Sequence, residues 1–123
     1  MGYEVLVVED NQQNFELVEF LLEDAGYTVR LARDAAELRS ALTDHLPDLV
    51  LMDIQLPGVD GITLVEELRA DPKTRKLPIL AITAHAMRGD RERFLDAGCD
   101  GYIPKPIEVA TFVDSIAAHL APG

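Results

Sequence analysis

Five polar side chains in this sequence stand where apolar runs stop. Glu9 and Asp10 follow VLVV (5–8), Asp53 follows LVLM (49–52), Thr83 follows ILAI (79–82), and Lys105 lies just past GYI (101–103). Any one of them alone reads as a helix cap or a solvated turn residue. Together they suggest chemistry, because a parallel sheet gathers the C-terminal ends of its strands along one edge and binds ligands there. Three clustered carboxylates repel one another and need a cation or a shared proton. No His or Cys accompanies them at those run ends, so a hard, oxygen-seeking ion fits better than zinc. Magnesium takes few protein oxygens and accompanies phosphate, which makes Mg2+ the expected cofactor. Asp53 can then act as a nucleophile toward phosphorus, giving an aspartyl phosphate. Lys105 would offset developing charge. The Thr83 hydroxyl would donate to a phosphoryl oxygen and respond to its arrival.

Positioning these groups requires strands that alternate with helices. Short apolar runs alternate with amphipathic stretches of about ten to fifteen residues, the pattern of a βα repeat and a parallel sheet. The pattern predicts strands over 4–8, 28–31, 48–52, 78–82 and 101–103, and helices over 11–25, 34–43, 60–70, 87–97 and 108–120. Gly26 and Gly98 read as helix C-terminal glycines, and Asp34 with Glu37 has capping-box spacing. Pro47, Pro72 and Pro78 mark returns to strands. In the first helix Phe15, Val18, Leu21, Leu22 and Ala25 fall on one face. Runs 5–8, 49–52 and 79–82 are continuously apolar, as central parallel strands covered on both faces must be. TVRLA (28–32) alternates, with Arg30 opposed to Val29 and Leu31, and the last strand is short and meets Pro104. Both read as edges. The expected architecture is α/β: a flavodoxin-like three-layer (βα)5 sandwich whose parallel five-stranded sheet has the order 2-1-3-4-5, with three helices on one face and two on the other.

Bulk properties narrow the function class. A chain of 123 residues supports one domain, here 1–123, with a real core. A formal net charge of −11 argues against a broad nucleic-acid-binding face. No apolar run approaches a membrane span and the N-terminus has neither a basic start nor a signal core, so a cytoplasmic protein without a membrane partner is expected. Cys99 is the single cysteine, which fits a reducing compartment. Its place between a helix end and a strand suggests a small buried residue rather than a nucleophile.

At this point the sequence resembles the receiver domain of two-component response regulators. The resemblance rests on VVEDN (7–11), DLVLMDIQLPGVDG (48–61), ILAITAHA (79–86) and DGYIPKP (100–106), in this order and spacing, and covers essentially the whole chain. It implies that Asp53 is the phosphoacceptor. It implies a magnesium ion held by the Asp10 and Asp53 side chains and the Gln55 backbone carbonyl, with Glu9 bound through water or directly. It makes Thr83 and Lys105 the site hydroxyl and lysine, Tyr102 the switch aromatic, and Lys105-Pro106 a cis peptide. Gln55 and His85 would flank the phosphoryl group and tune its hydrolysis. The acidic pair departs mildly from two aspartates, being Glu9-Asp10. The implied partner is a histidine kinase or a histidine phosphotransfer protein, and a monomer or weak homodimer is expected.

Plainer readings stand beside these. Tyr102 also reads as core packing, and HAMRGDRERFLDAG (85–98) as an ordinary amphipathic helix. Gly89, near the start of that helix, weakens it by about 1 kcal/mol relative to Ala, which would let its first turn reshape when Asp53 is modified. His45 and His119 sit near helix ends and read as solvated. With only Ala121-Pro122-Gly123 after the last helix, output by protein contact is expected, from a stand-alone receiver. An alternative is a receiver excised from a hybrid kinase. A magnesium-dependent aspartyl-phosphate phosphatase would normally carry a second acid where Gln55 stands, and a substrate cap. A flavin module would want a Ser/Thr/Gly phosphate loop where EDNQQN (9–14) stands. A receiver that never uses phosphate would usually lack an acid or the lysine.

Overall fold

The structure, a computed structural model, describes residues 3–56, 58, 60–84 and 88–120, the side chains of 88–91 excepted. Five strands alternate with five helices: β1 Glu4–Val8, α1 Gln12–Asp24, β2 Thr28–Ala32, α2 Ala35–Asp44, β3 Leu49–Asp53, α3 Gly61–Ala70, β4 Ile79–Thr83, α4 Arg88–Ala97, β5 Gly101–Pro104 and α5 Val109–Leu120. The strands form one parallel sheet in the order β2-β1-β3-β4-β5, with Val5 opposite Leu49, Leu51 opposite Leu80 and Ile82 opposite Ile103. The expected flavodoxin-like order and the two edge strands are therefore present.

The pleat divides the core into two layers. Leu6, Val8, Val50, Met52, Ile79 and Ala81 pack with Leu38 of α2, Leu64 of α3 and Phe94 of α4. Val5, Val7, Leu49, Leu51, Leu80 and Ile82 pack with Phe15 of α1 and Phe112 of α5. This is the expected three-and-two division of helices, and it explains the unbroken apolar runs: each central strand faces a helical layer on both sides. On edge strand β2, Val29 and Leu31 join the α1/α5 layer. Arg30 turns the other way, bonding Glu4 at 3.0 Å and the Ala41 and His45 carbonyls of the α2 end.

Local chemistry sets the helix limits. Asn11 and Asp60, placed by the sequence pattern as first helical residues, and Asp34, whose capping-box spacing with Glu37 is confirmed, are N-caps whose side chains accept from the backbone N–H groups of Asn14, Ile62 and Glu37 respectively. Glu37 completes a variant of the capping box by accepting from Arg33 N–H at 2.8 Å rather than from the cap residue. Ala25 does not share the buried face of α1: it is the exposed C-cap, where the chain has already left the helix. Gly26 and Gly98 follow their helices with φ of 97° and 117°, a conformation that favours glycine.

Candidate functional site

Four strands run one residue further than the apolar pattern indicates, and on β3 and β4 the extra residues are Asp53 and Thr83. Asp53 sits opposite Ile82 and Thr83 opposite Pro104, so both side chains are fixed by sheet geometry rather than by a loop. They are 2% and 1% exposed. Ile54 N–H donates to Ile82 carbonyl at 3.0 Å and Lys105 N–H to Thr83 carbonyl at 2.8 Å, carrying the ladder past the formal strand ends. At the end of β1, Glu9 N–H bonds the Ala32 carbonyl in the same manner.

Strand alternation then sorts the polar groups by side. Successive side chains point to opposite faces. Counting on from Val5 and Val7, Glu9 falls on the α1/α5 side, as does Asp53 counted from Leu49 and Leu51. Thr83 follows Ala81 onto the other side, where Tyr102 also packs. The carboxylate cluster and the hydroxyl–aromatic pair thus approach the same edge from the two faces of the sheet.

Within the cluster, carboxylate oxygens of Glu9, Asp10 and Asp53 all lie within 4.8 Å of one another, with Glu9 and Asp53 buried and Asp10 exposed. Lys105 Nζ donates to Asp53 Oδ2 at 3.0 Å and stands 3.8 Å from Glu9 Oε1. The other Asp53 oxygen, Oδ1, accepts from Gln55 N–H at 2.9 Å. Glu9 Oε2 accepts from Asn11 N–H at 3.1 Å. Three carboxylates against one ammonium leave an excess of negative charge in a poorly solvated place. Burial, and next the hydrogen bond shared with Asp53, push Glu9 up from 4.5 to about 7. That is the effect of burying a carboxylate beside a second one. The donor set is all oxygen, dense and partly open through Asp10, which fits a hard divalent ion. Lys105-Pro106 is cis.

Tyr102 is half-buried and meets Phe94 of α4 with ring centroids 6.5 Å apart and planes at 49°. That neighbour was not legible in the sequence. Gln55 is exposed beside Asp53. His85 and the proposed reshaping at Gly89 fall on residues or side chains outside those described. Cys99 is buried, and burial pushes its thiol up to about 11, which leaves it inert at neutral pH. His119 Nδ1 meets the Ser115 carbonyl at 3.0 Å, one turn back along α5. No helix among the described residues is long and apolar enough to cross a membrane.

The model of the response regulator receiver domain matches residues 5–117. The chain belongs to that family. The polar-differentiation response regulator DivK of Brucella anthropi is 42% identical to it over 120 residues, 98% of each chain. Among solved structures, a chain from Chloroflexus aurantiacus superposes with a TM-score of 0.93 at 34% identity, covering 99% of this receiver and 100% of that chain. The receiver domain of a Pseudomonas aeruginosa sensor histidine kinase, with a magnesium ion coordinated in its active site cleft, gives 0.87 at 37% identity and 98% of each. The fold and these relatives make this receiver a phosphorelay response regulator; neither a phosphatase nor a flavin module is favoured.

Proposed function

We propose that Asp53 accepts a phosphoryl group from a phosphohistidine on a histidine kinase or histidine phosphotransfer protein, in a magnesium-dependent reaction. The observation that carries this reading is a buried aspartate at a strand end, pinned on one oxygen by Lys105 and on the other by the Gln55 N–H, beside two more carboxylates. Glu9, Asp10, Asp53 and the Gln55 carbonyl would hold the ion, which when bound neutralises charge between the carboxylate and the incoming phosphoryl oxygens.

The chain's own residues supply orientation and charge. The Gln55 N–H and Lys105 fix the Asp53 carboxylate, so the nucleophile loses little freedom on reacting. An Asp53 oxygen forms the new O–P bond while the N–P bond of the donor breaks, and the donor imidazole leaves neutral, keeping the proton already carried by its other ring nitrogen. Lys105 follows the growing charge on the phosphoryl oxygens, since its ammonium already stands between Asp53 and Glu9. Thr83 donates its hydroxyl to a phosphoryl oxygen. Its displacement, together with Tyr102 against Phe94, carries the signal to α4. The protein works in the cytoplasm, as a monomer or weak homodimer, through contacts with other proteins.

The chemistry is tested by incubation with acetyl phosphate and magnesium, borohydride trapping of acyl phosphates, and peptide mass mapping. Modification at residue 53 alone is expected. Modification elsewhere, with Asp53 intact, would overturn the assignment.

A further inference from the structure

At the opposite end of the sheet, where β3 and β4 begin, the segment between α3 and β4 reads Asp71-Pro72-Lys73-Thr74-Arg75-Lys76-Leu77. It places three of the chain's eleven basic residues within four positions, against twenty-two acidic residues overall. Among the described residues none of the three forms an ion pair.

The segment is held from inside. Thr74 N–H bonds the Asp71 carbonyl and Leu77 N–H the Thr74 carbonyl, giving two consecutive turns. Thr74 Oγ1 donates to the Leu68 carbonyl at 2.6 Å, and Asp71 Oδ1 accepts from Lys73 N–H at 2.9 Å. Arg69 then reaches under the loop, its Nη1 donating to the Thr74, Arg75 and Leu77 carbonyls at 3.4, 3.0 and 2.6 Å. One buried-side guanidinium thus occupies the loop's carbonyl oxygens, and the three cationic side chains remain outside.

Those side chains line a groove of about 530 Å³ with an apolar floor of Leu46, Pro47, Pro72, Leu77 and Pro78. Lys73 and Leu46 also line an adjoining groove between the ends of α2 and α3. Leu46, between them, is 47% exposed. Asp48 also lines the groove, so three cations there face one carboxylate, which accepts from Glu4 N–H at 2.7 Å; nearby, Asp71 holds the Lys73 amide and Glu67 is paired with Arg39.

We propose that this surface docks an acidic, leucine-bearing segment of a partner protein. Charge complementarity selects that occupant. A rigid loop with three unpaired cations is ordered before binding, so a flexible acidic segment meets it at reduced entropic cost. The apolar floor accepts an anchoring side chain. A polyanionic duplex extends well past the groove and would meet more of the −11 field of the rest of the chain than a short acidic segment confined to it. An anionic membrane calls for clusters of about four to eight cations. The surface is distinct from the Asp53 edge, so binding here does not compete with phosphoryl transfer.

The test is titration of isotope-labelled protein with a short synthetic peptide rich in glutamate and carrying two leucines, followed by amide NMR. The controls are the same peptide with serine for leucine, a DNA duplex, and phosphatidylserine vesicles. Saturable shifts at 46–48 and 72–77 are expected. Binding should be about tenfold weaker for the Lys73→Ser/Arg75→Gln/Lys76→Gln triple variant and weaker for the serine peptide. Circular dichroism and acetyl phosphate labelling should be unchanged in the variant, because the altered side chains are exposed and remote from Asp53. Absence of saturable binding, equal binding by the folded triple variant, or stronger perturbation of these amides by DNA or vesicles would each overturn the proposal.

Discussion

Replacing Lys105 by methionine removes an ammonium from between two buried carboxylates while keeping a side chain of similar length. Nζ stands 3.0 Å from Asp53 Oδ2 and 3.8 Å from Glu9 Oε1. At an effective dielectric of about 20 the attraction to Asp53 is worth about 5 kcal/mol, and that to Glu9 about half of a further 4 kcal/mol, because Glu9, raised to about 7, is only partly ionised at neutral pH. Desolvation of the ammonium, whose side chain is 20% exposed, and its lost rotamer freedom offset most of that. A net loss of about 3 kcal/mol of unfolding free energy is expected at neutral pH without magnesium. The backbone bond from Lys105 N–H to Thr83 carbonyl survives the change, so the loss is electrostatic. A ligand that binds only the folded state adds stability by mass action. The variant, with one cation fewer beside three carboxylates, should therefore gain more from saturating magnesium than the wild type does. Urea unfolding of both proteins, with and without magnesium, measures all four values. Equal stability of the two proteins without magnesium, or an identical gain with it, would refute the charge-deficit account of the cluster.

Three further outcomes follow from the geometry. Gly61→Ala would bring a Cβ to 2.7 Å from the Ile54 Cα, backbone immediately after Asp53. A loss of about 2 kcal/mol and slower labelling by acetyl phosphate are expected, measured by urea unfolding and timed mass spectrometry. Arg69→Met removes donors to Gly98, Leu77 and Asp100 at 2.8, 2.6 and 3.0 Å and should cost about 3 kcal/mol in the same unfolding assay. His45 is raised above 6.5 by hydrogen bonds to Glu4 and then Asp44, with Arg30 opposing. A raised folded-state pKa stabilises fully below the unfolded value and is lost as pH rises through the folded one. Denaturant midpoints should therefore fall between pH 6 and 8 more steeply in the wild type than in His45→Gln.

Most of the fold was legible because the three central strands are apolar on both faces, leaving no choice but burial between helical layers. Arg30 and Pro104 marked the edges for equally plain reasons: one side chain needs polar partners, and the other cannot donate to a ladder. The carboxylates, Thr83 and Lys105 were legible as run-end residues. That Asp53 and Thr83 belong to the strands was not, because periodicity stops counting at a polar residue while the hydrogen-bond ladder does not. The division of the site between two faces required the register, which fixes Asp53 and Thr83 on opposite sides. Phe94 beside Tyr102, and Arg69 beneath the 71–77 loop, depend on how α3 and α4 pack, which no local pattern encodes. An arginine in the last turn of a helix reads as a solvated charge until the carbonyls it meets are in view.

The central claim is that Asp53 is the reacting group. Intact-protein mass after incubation with acetyl phosphate, with and without magnesium, beside Asp53→Asn, tests it most directly. One added phosphoryl group in the wild type, dependent on magnesium and absent from the variant, is the predicted result. An equal gain in the folded Asp53→Asn protein would contradict it.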